Sequence, residues 1–178
     1  MIRTDIPEIK DCYIIECQRH LDNRGYFQEI FSKKYYKMDV LQTNVSYSSK
    51  NVLRGLHVAP FAKLCTCIRG KLFDVVADVR KYSPTFGKWF GIWLDESNCK
   101  QLYVPAGCAH GFFSAEDDTI LVYQQDGIRG NVPLDEFEIH FQDPFFGINW
   151  PKAEYILSEK DRSAKNFSEV INANKNQT

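Results

Sequence analysis

Apolar and polar residues alternate with a period of two along most of this chain. In KLFDVVADVR (residues 71–80), Phe73, Val75, Ala77 and Val79 fall on one face of an extended strand, and Asp74, Val76, Asp78 and Arg80 on the other. KWFGIWLD, KQLYVP, TILVYQQ and FEIHFQD read as strands in the same way, each bounded by Gly, Pro, Asn or Asp. CYIIEC and GYFQEIF add two more near the N-terminus. Helical periodicity is confined to SKKYYKMDVL and SEKDRSAKNFSEVI, and the polar NANKNQT is expected to fray. No internal repeat or linker interrupts the pattern. Many short strands joined by turns predict a sandwich or barrel. Residues 1–178 therefore read as a single all-β domain trimmed by short peripheral helices.

Composition narrows the function classes. The chain has 178 residues, 44% hydrophobic and 25% charged, the balance of a folded globular protein with a sizeable core. A net charge of −1 gives no broad basic face, so nucleic acid is not an expected partner. No run of about 18 apolar residues is present, so no membrane span is expected. MIRTDIPEIK lacks the apolar region of a secretory signal, which points to the cytoplasm. Six cysteines (12, 17, 65, 67, 99 and 108) then read as reduced, mostly buried thiols. A thiolate metal site would want paired C-x-x-C spacings, and the chain offers only the C-x-C of Cys65 and Cys67.

The chemistry concentrates in NVLRGLHVAPFAKLCTC (residues 51–67), where Arg54, His57 and Lys63 lie close together beside a strand. Such a cluster costs free energy unless water or an anionic partner meets it. Of the four histidines, His20 lies in a polar loop-like stretch and His140 faces away from the apolar side of its strand. His57 and His110 instead lie in small-residue segments, RGLH and PAGCAHGF, where a ligand can approach the backbone or the chain can bulge. Spacing alone leaves a packed histidine and a catalytic one equally open. A metal-binding cupin would show an H-x-H pair, and neither histidine has one. Asp161 follows Ser158 at capping-box spacing, and Tyr123 shares a strand face with Leu121; each has a structural reading beside a functional one.

The ordered segments DNRGYFQEIF, NVLRGLH, DVVADVRKYSPTFGKW, QLYVPAGCAHGF, LVY, FGINWP and ILSEKD resemble the dTDP-4-dehydrorhamnose 3,5-epimerase family, from about Arg3 to Asp161. The resemblance implies a cupin-like jelly roll, assembled as a homodimer and using no metal or other cofactor, that acts on a nucleotide-diphosphate 4-keto-6-deoxy sugar. It implies His57 as general base, Asp161 as its carboxylate partner, Lys63 beside the ketone oxygen and Tyr123 as the acid on the opposite face. Arg54 would meet the diphosphate. Arg24, Phe27 and Glu29 match a nucleotide-binding segment, as do Gln42, Asn44 and Ser46. His110 matches a substrate-contacting position, and Asp78 a supporting carboxylate. The chain departs from the family pattern at VAPFA, which is short, at Tyr47, where an arginine is usual, and at Gln125–Arg129, where an aromatic pair is usual. Alternatives within the same chemistry are a GDP-linked hexose or heptose, or inversion at one centre only. Outside it stands a sugar-binding jelly roll without turnover.

Overall fold

The computed structural model describes residues 1–36, 38–128 and 136–175. The strands, in chain order, are β1 (Ile2–Asp5), β2 (Tyr13–Glu16), β3 (Arg19–Asp22), β4 (Gly25–Gln28), β5 (Gln42–Ser48), β6 (Leu53–Val58), β7 (Lys63–Arg69), β8 (Lys71–Ala77), β9 (Trp89–Asp95), β10 (Lys100–Val104), β11 (Ala109–Ser114), β12 (Thr119–Gln125) and β13 (Phe137–Glu138). Two short helices follow, α1 (Glu159–Arg162) and α2 (Phe167–Lys175). One sheet runs β1-β2-β10-β7-β12-β5 and a second β13-β6-β11-β8-β9, while β3 and β4 form a separate hairpin. All strand pairings within these sheets are antiparallel. The architecture is the all-β cupin-like jelly roll.

Three apolar layers hold it together. Between the sheets, Cys65, Cys67, Leu102 and Leu121 meet Leu72, Val76, Leu94 and Phe112. The outer face of the second sheet, with Val75, Ala77 and Phe113, is covered by Ile139, Phe141, Phe146, Trp150 and Phe167 from the C-terminal segment. The outer face of the first sheet is covered by Tyr36 and Met38. β8 is thus buried on both faces. Its apolar set Phe73, Val75 and Ala77 faces the C-terminal cover, while Leu72, Asp74 and Val76 belong to the interior between the sheets.

Three expectations about elements need correction. SKKYYKMDVL forms a turn at residues 33–35 and no helix among its described residues. Tyr36, buried and donating its hydroxyl to Gln101 Oε1 at 2.5 Å, anchors the segment as an irregular cover, and burial there overrides helical propensity. SEKDRSAKNFSEVI is two helices, since the Ser163 hydroxyl closes α1 on the Glu159 carbonyl and Glu169 caps the Asn166 N–H ahead of α2. FEIHFQD pairs as a strand only at Phe137 and Glu138, after which Asp143 organises a turn by accepting from the Phe145 and Phe167 N–H groups. All six cysteines are free thiols, five of them buried. His20 is exposed, on β3 rather than in a loop, and His140 is half-buried.

One irregularity positions the site. Arg54 and His57 are three residues apart, a spacing that puts side chains on opposite faces of a regular strand. The β6–β11 register shifts between His110 and Phe112, and Gly55 takes φ 131°, where side chains are disfavoured. A Cβ on Gly55 would lie 2.6 Å from Gly111 Cα, and one on Gly111 only 2.7 Å from the Arg54 carbonyl oxygen. Glycine at both positions lets the strands close over the bulge, and the bulge turns Arg54 and His57 towards one cavity.

Candidate active site

The cavity opens between the two sheets and holds about 360 Å³, a volume suited to a small organic ligand. Alternate residues of two strands line one wall: Gln42, Asn44 and Ser46 from β5, and Leu121, Tyr123 and Gln125 from β12. Lys63, from β7 of the same sheet, joins them. The opposite wall carries Arg54 and His57 from β6 and His110 and Phe112 from β11. Phe61, Glu136 and Glu138 also line it, and sequence reasoning had not marked these three.

His57 is held by a carboxylate from a distant element. Its Nε2 lies 2.7 Å from Asp161 Oδ1, with the ring 30% exposed and the carboxylate 5%. Asp161 is fixed in turn by Ser158, whose hydroxyl accepts the Asp161 N–H at 3.1 Å and donates to Oδ2 at 2.8 Å. The capping and functional readings of Asp161 are therefore the same structure, with the cap serving as the mount. Burial pushes the Asp161 carboxyl up, but the bonds from His57 and Ser158 outweigh it and hold the group below the usual carboxylate range. With Nε2 committed to Asp161, the Nδ1 atom of His57 is the nitrogen left for a ligand in the cavity.

A second histidine–carboxylate pair lies deeper. His110 Nε2 is 2.7 Å from Oδ1 of Asp74, and the two residues are 7% and 0% exposed. Asp78, expected to support the site, does something else. It lies just past the end of β8 and binds Arg80, Ser83 and Thr85, and these bonds outweigh the upward push of burial to lower its pKa to about 2. It stitches the KYSPT turn and touches no cavity-lining residue in these bonds. Asp74 is the carboxylate that sequence reasoning missed. The available signal was its place inside an otherwise apolar strand, where a buried charge must find a partner, whereas Asp78 has an arginine and hydroxyls within its own turn.

Lys63 is 9% exposed, its Nζ 5.9 Å from the centre of the Phe61 ring. Arg54 is held by the Ser48 hydroxyl and the Tyr47 carbonyl at 3.2 and 3.0 Å, which leaves its charge unneutralised by any carboxylate bond among the described residues. Tyr47 also lines the cavity and donates its hydroxyl to Asp118. Three amides close a ring at one end: Gln42 Nε2 donates to Asn44 Oδ1, Asn44 Nδ2 to Gln125 Oε1, and Gln125 Nε2 to Gln42 Oε1, at 2.8, 3.3 and 3.1 Å. Arg24, Phe27 and Glu29 are exposed on and beside the β3–β4 hairpin and do not line this cavity. Arg129, at the end of the departing Gln125–Arg129 stretch, lies outside the described residues.

The cavity thus presents a cation from each sheet, Arg54 and Lys63, an oriented imidazole on one wall and a phenol on the other. That arrangement suits proton transfer at two faces of one ligand. No helix among the described residues is long and apolar enough to cross a membrane.

Known proteins resemble this chain in sequence and in fold. The family profile described as dTDP-4-dehydrorhamnose 3,5-epimerase matches residues 7–169. A dTDP-4-dehydrorhamnose 3,5-epimerase of Shigella flexneri is 39% identical, over 94% of this chain and 95% of its own. The crystal structure of a Legionella pneumophila 3,5-epimerase in complex with dTDP-4-keto-L-rhamnose superposes with a TM-score of 0.84 at 38% identity, covering 94% of this chain and 92% of that one. That of ChmJ, a 3'-monoepimerase from Streptomyces bikiniensis in complex with dTDP-quinovose, gives 0.83 at 34% identity, covering 92% and 87%. The sequence resemblance, the jelly roll and the cavity point the same way, and this chain belongs to the dTDP-4-dehydrorhamnose 3,5-epimerase family.

Proposed function

We propose that the protein is an isomerase that inverts carbons 3 and 5 of dTDP-4-keto-6-deoxyglucose in the cytoplasm, supplying a rhamnose-type deoxysugar. The supporting observation is that the Asp161-held imidazole of His57 and the phenol of Tyr123 belong to opposite sheets yet line one cavity. A ketone acidifies the C–H bonds beside it, because the carbanion delocalises as an enolate. His57 Nδ1 takes that proton, and Asp161 stabilises the imidazolium that results. Lys63, with His110 on the opposite wall, meets the charge developing on the ketone oxygen, an electrostatic contribution of roughly 3–4 kcal/mol for a well-placed donor. Tyr123 then returns a proton to the other face, so the centre inverts. Arg54 takes the diphosphate and the Gln42–Asn44–Gln125 ring faces the base. Ser46, next along β5, completes that wall.

The hairpin residues fit the same reading through a second copy of the chain. Phe27 and Leu21 are 70% and 80% exposed, apolar surface that calls for a partner. In a homodimer, Arg24, Phe27 and Glu29 would reach the nucleotide in the neighbouring cavity. Inversion at one centre is the second reading, favoured by the likeness to a 3'-monoepimerase. The test is to incubate the protein with dTDP-4-keto-6-deoxyglucose, reduce the products with borohydride and identify the sugars. Sugars inverted at both carbons support the first reading and at one carbon the second; unaltered configuration at both contradicts epimerisation.

A further inference from the structure

Beneath the cavity floor three different metal-ligand types converge. Cys65 on β7, Asp74 on β8 and His110 on β11 place their ligand atoms within 4.8 Å of one another, and all three residues are buried. The hydrogen bonding there is incomplete. The single nitrogen His110 Nε2 faces both Asp74 Oδ1 at 2.7 Å and Cys65 Sγ at 3.5 Å, while Asp74 Oδ2 is buried with no hydrogen-bond partner. One proton on Nε2 serves one of these neighbours at a time. A cation at their centre would serve all three.

The spacing fits such an ion. Tetrahedral zinc with ordinary bond lengths separates a sulfur and a nitrogen ligand by about 3.5 Å, and a nitrogen and an oxygen by about 3.3 Å. The Cys65–His110 separation already has the first value. The His110–Asp74 contact would widen by about half an ångström, as a hydrogen bond gives way to two metal bonds. A thiolate, an imidazole and a carboxylate together suit zinc rather than a hard cation such as magnesium or calcium. Only His110 of the three lines the cavity, so the ion would enter past it, and a fourth ligand position would face the cavity.

We propose that Cys65, Asp74 and His110 form a zinc site that inhibits the enzyme when loaded. As the S–Zn bond forms, the Cys65 thiol releases its proton to the buffer, and His110 binds as the neutral tautomer protonated on Nδ1, so that a proton on Nε2 of the neutral ring passes through solvent to Nδ1. The ion then draws His110 away from the ligand and sets a positive charge against Lys63. The inhibitory half of this inference rests on the epimerase reading above; the binding half does not.

Cobalt(II), a spectroscopically visible substitute for zinc, separates the two. Titrated into the protein without substrate, it is expected to bind at one equivalent and give a near-ultraviolet thiolate-to-cobalt band. That band is expected to vanish in Cys65→Val, with Cys65→Ser as the alternative should valine disturb the core. Wild-type epimerisation is expected to be inhibited by zinc and restored by a chelator. Cys65→Val should keep its metal-free activity and need on the order of 100-fold more zinc for the same inhibition. Absence of the band in the wild type, or its persistence in both Cys65 variants, overturns the site. A band without zinc inhibition of an active epimerase overturns the inhibitory role. Cobalt binding in a protein without epimerase activity would sink the epimerase reading and leave the metal site standing.

Discussion

The imidazole of His57, which lines the cavity, and the carboxylate of Asp161, 104 positions apart in sequence, meet at 2.7 Å. The contact joins β6 to the four-residue helix α1, whose N-cap Ser158 holds the other carboxylate oxygen. Asp161→Asn keeps the shape of the side chain but loses the charge that orients His57 and stabilises its protonated form. The variant is expected to fold normally and lose on the order of 100-fold in kcat. Steady-state kinetics beside a thermal melt checks this; a fall in Tm with kcat preserved would assign Asp161 to helix capping alone.

Tyr123 stands on the wall opposite His57. Tyr123→Phe removes the proton donor and leaves the base. The expected result is continued exchange of the substrate's C–H protons with deuterated water and little inverted product. Parallel loss of exchange and inversion would make Tyr123 a positioning residue.

The Gly55–Gly111 contact predicts a coupled effect on stability and activity. Gly55→Ala places a methyl group 2.6 Å from Gly111 Cα at a backbone angle that disfavours it. Overpacking of this kind costs about 1–3 kcal/mol, and Arg54 and His57 lose their common aim. Denaturant unfolding and kcat/KM are both expected to fall. Unchanged values of both would remove the bulge from the account of the site.

Asp78 predicts stability without activity. Its carboxyl, ordinarily near 3.8, is held at about 2 by Arg80, Ser83 and Thr85. A group lowered on folding stabilises the protein fully above its unfolded value, and that contribution is lost as pH falls towards the folded one. The window is therefore about pH 4 to pH 2. Asp78→Ala leaves Arg80 and two hydroxyls without their acceptor, a loss of about 1–3 kcal/mol. Its midpoint of denaturation is expected to drop at pH 7 and to approach that of the wild type near pH 2, with kcat little changed. A large fall in kcat at constant stability would return Asp78 to the site.

Much of this was legible in the chain because strand alternation is local. Most of the strands follow from it, and it puts Leu121 and Tyr123 on one face, as found. What alternation does not carry is which face lies inside. In β8 the more polar face, with Asp74, turns to the interior, and the apolar face turns to a C-terminal cover whose packing is a matter of tertiary structure. Asp78 shares that face by alternation but lies just past the end of β8, where its own turn engages it, and alternation does not report where a strand stops. The helix expected at SKKYYKMDVL failed because Tyr36 has a buried partner 65 positions away, which no local pattern reports. Arg54 and His57 share a cavity only through a bulge, and the glycines in RGLH and AHGF were its sole trace.

Solvent-proton exchange tests the central claim, that His57 removes a proton beside the substrate ketone, most directly. Proton NMR of the protein with dTDP-4-keto-6-deoxyglucose in deuterated water, run beside the His57→Asn variant and a GDP-linked analogue, reads each C–H position separately. The account predicts that the wild type replaces both protons flanking the ketone of the dTDP sugar with deuterium, and that the folded variant replaces neither above the background rate. Exchange at the wild-type rate in His57→Asn would contradict it.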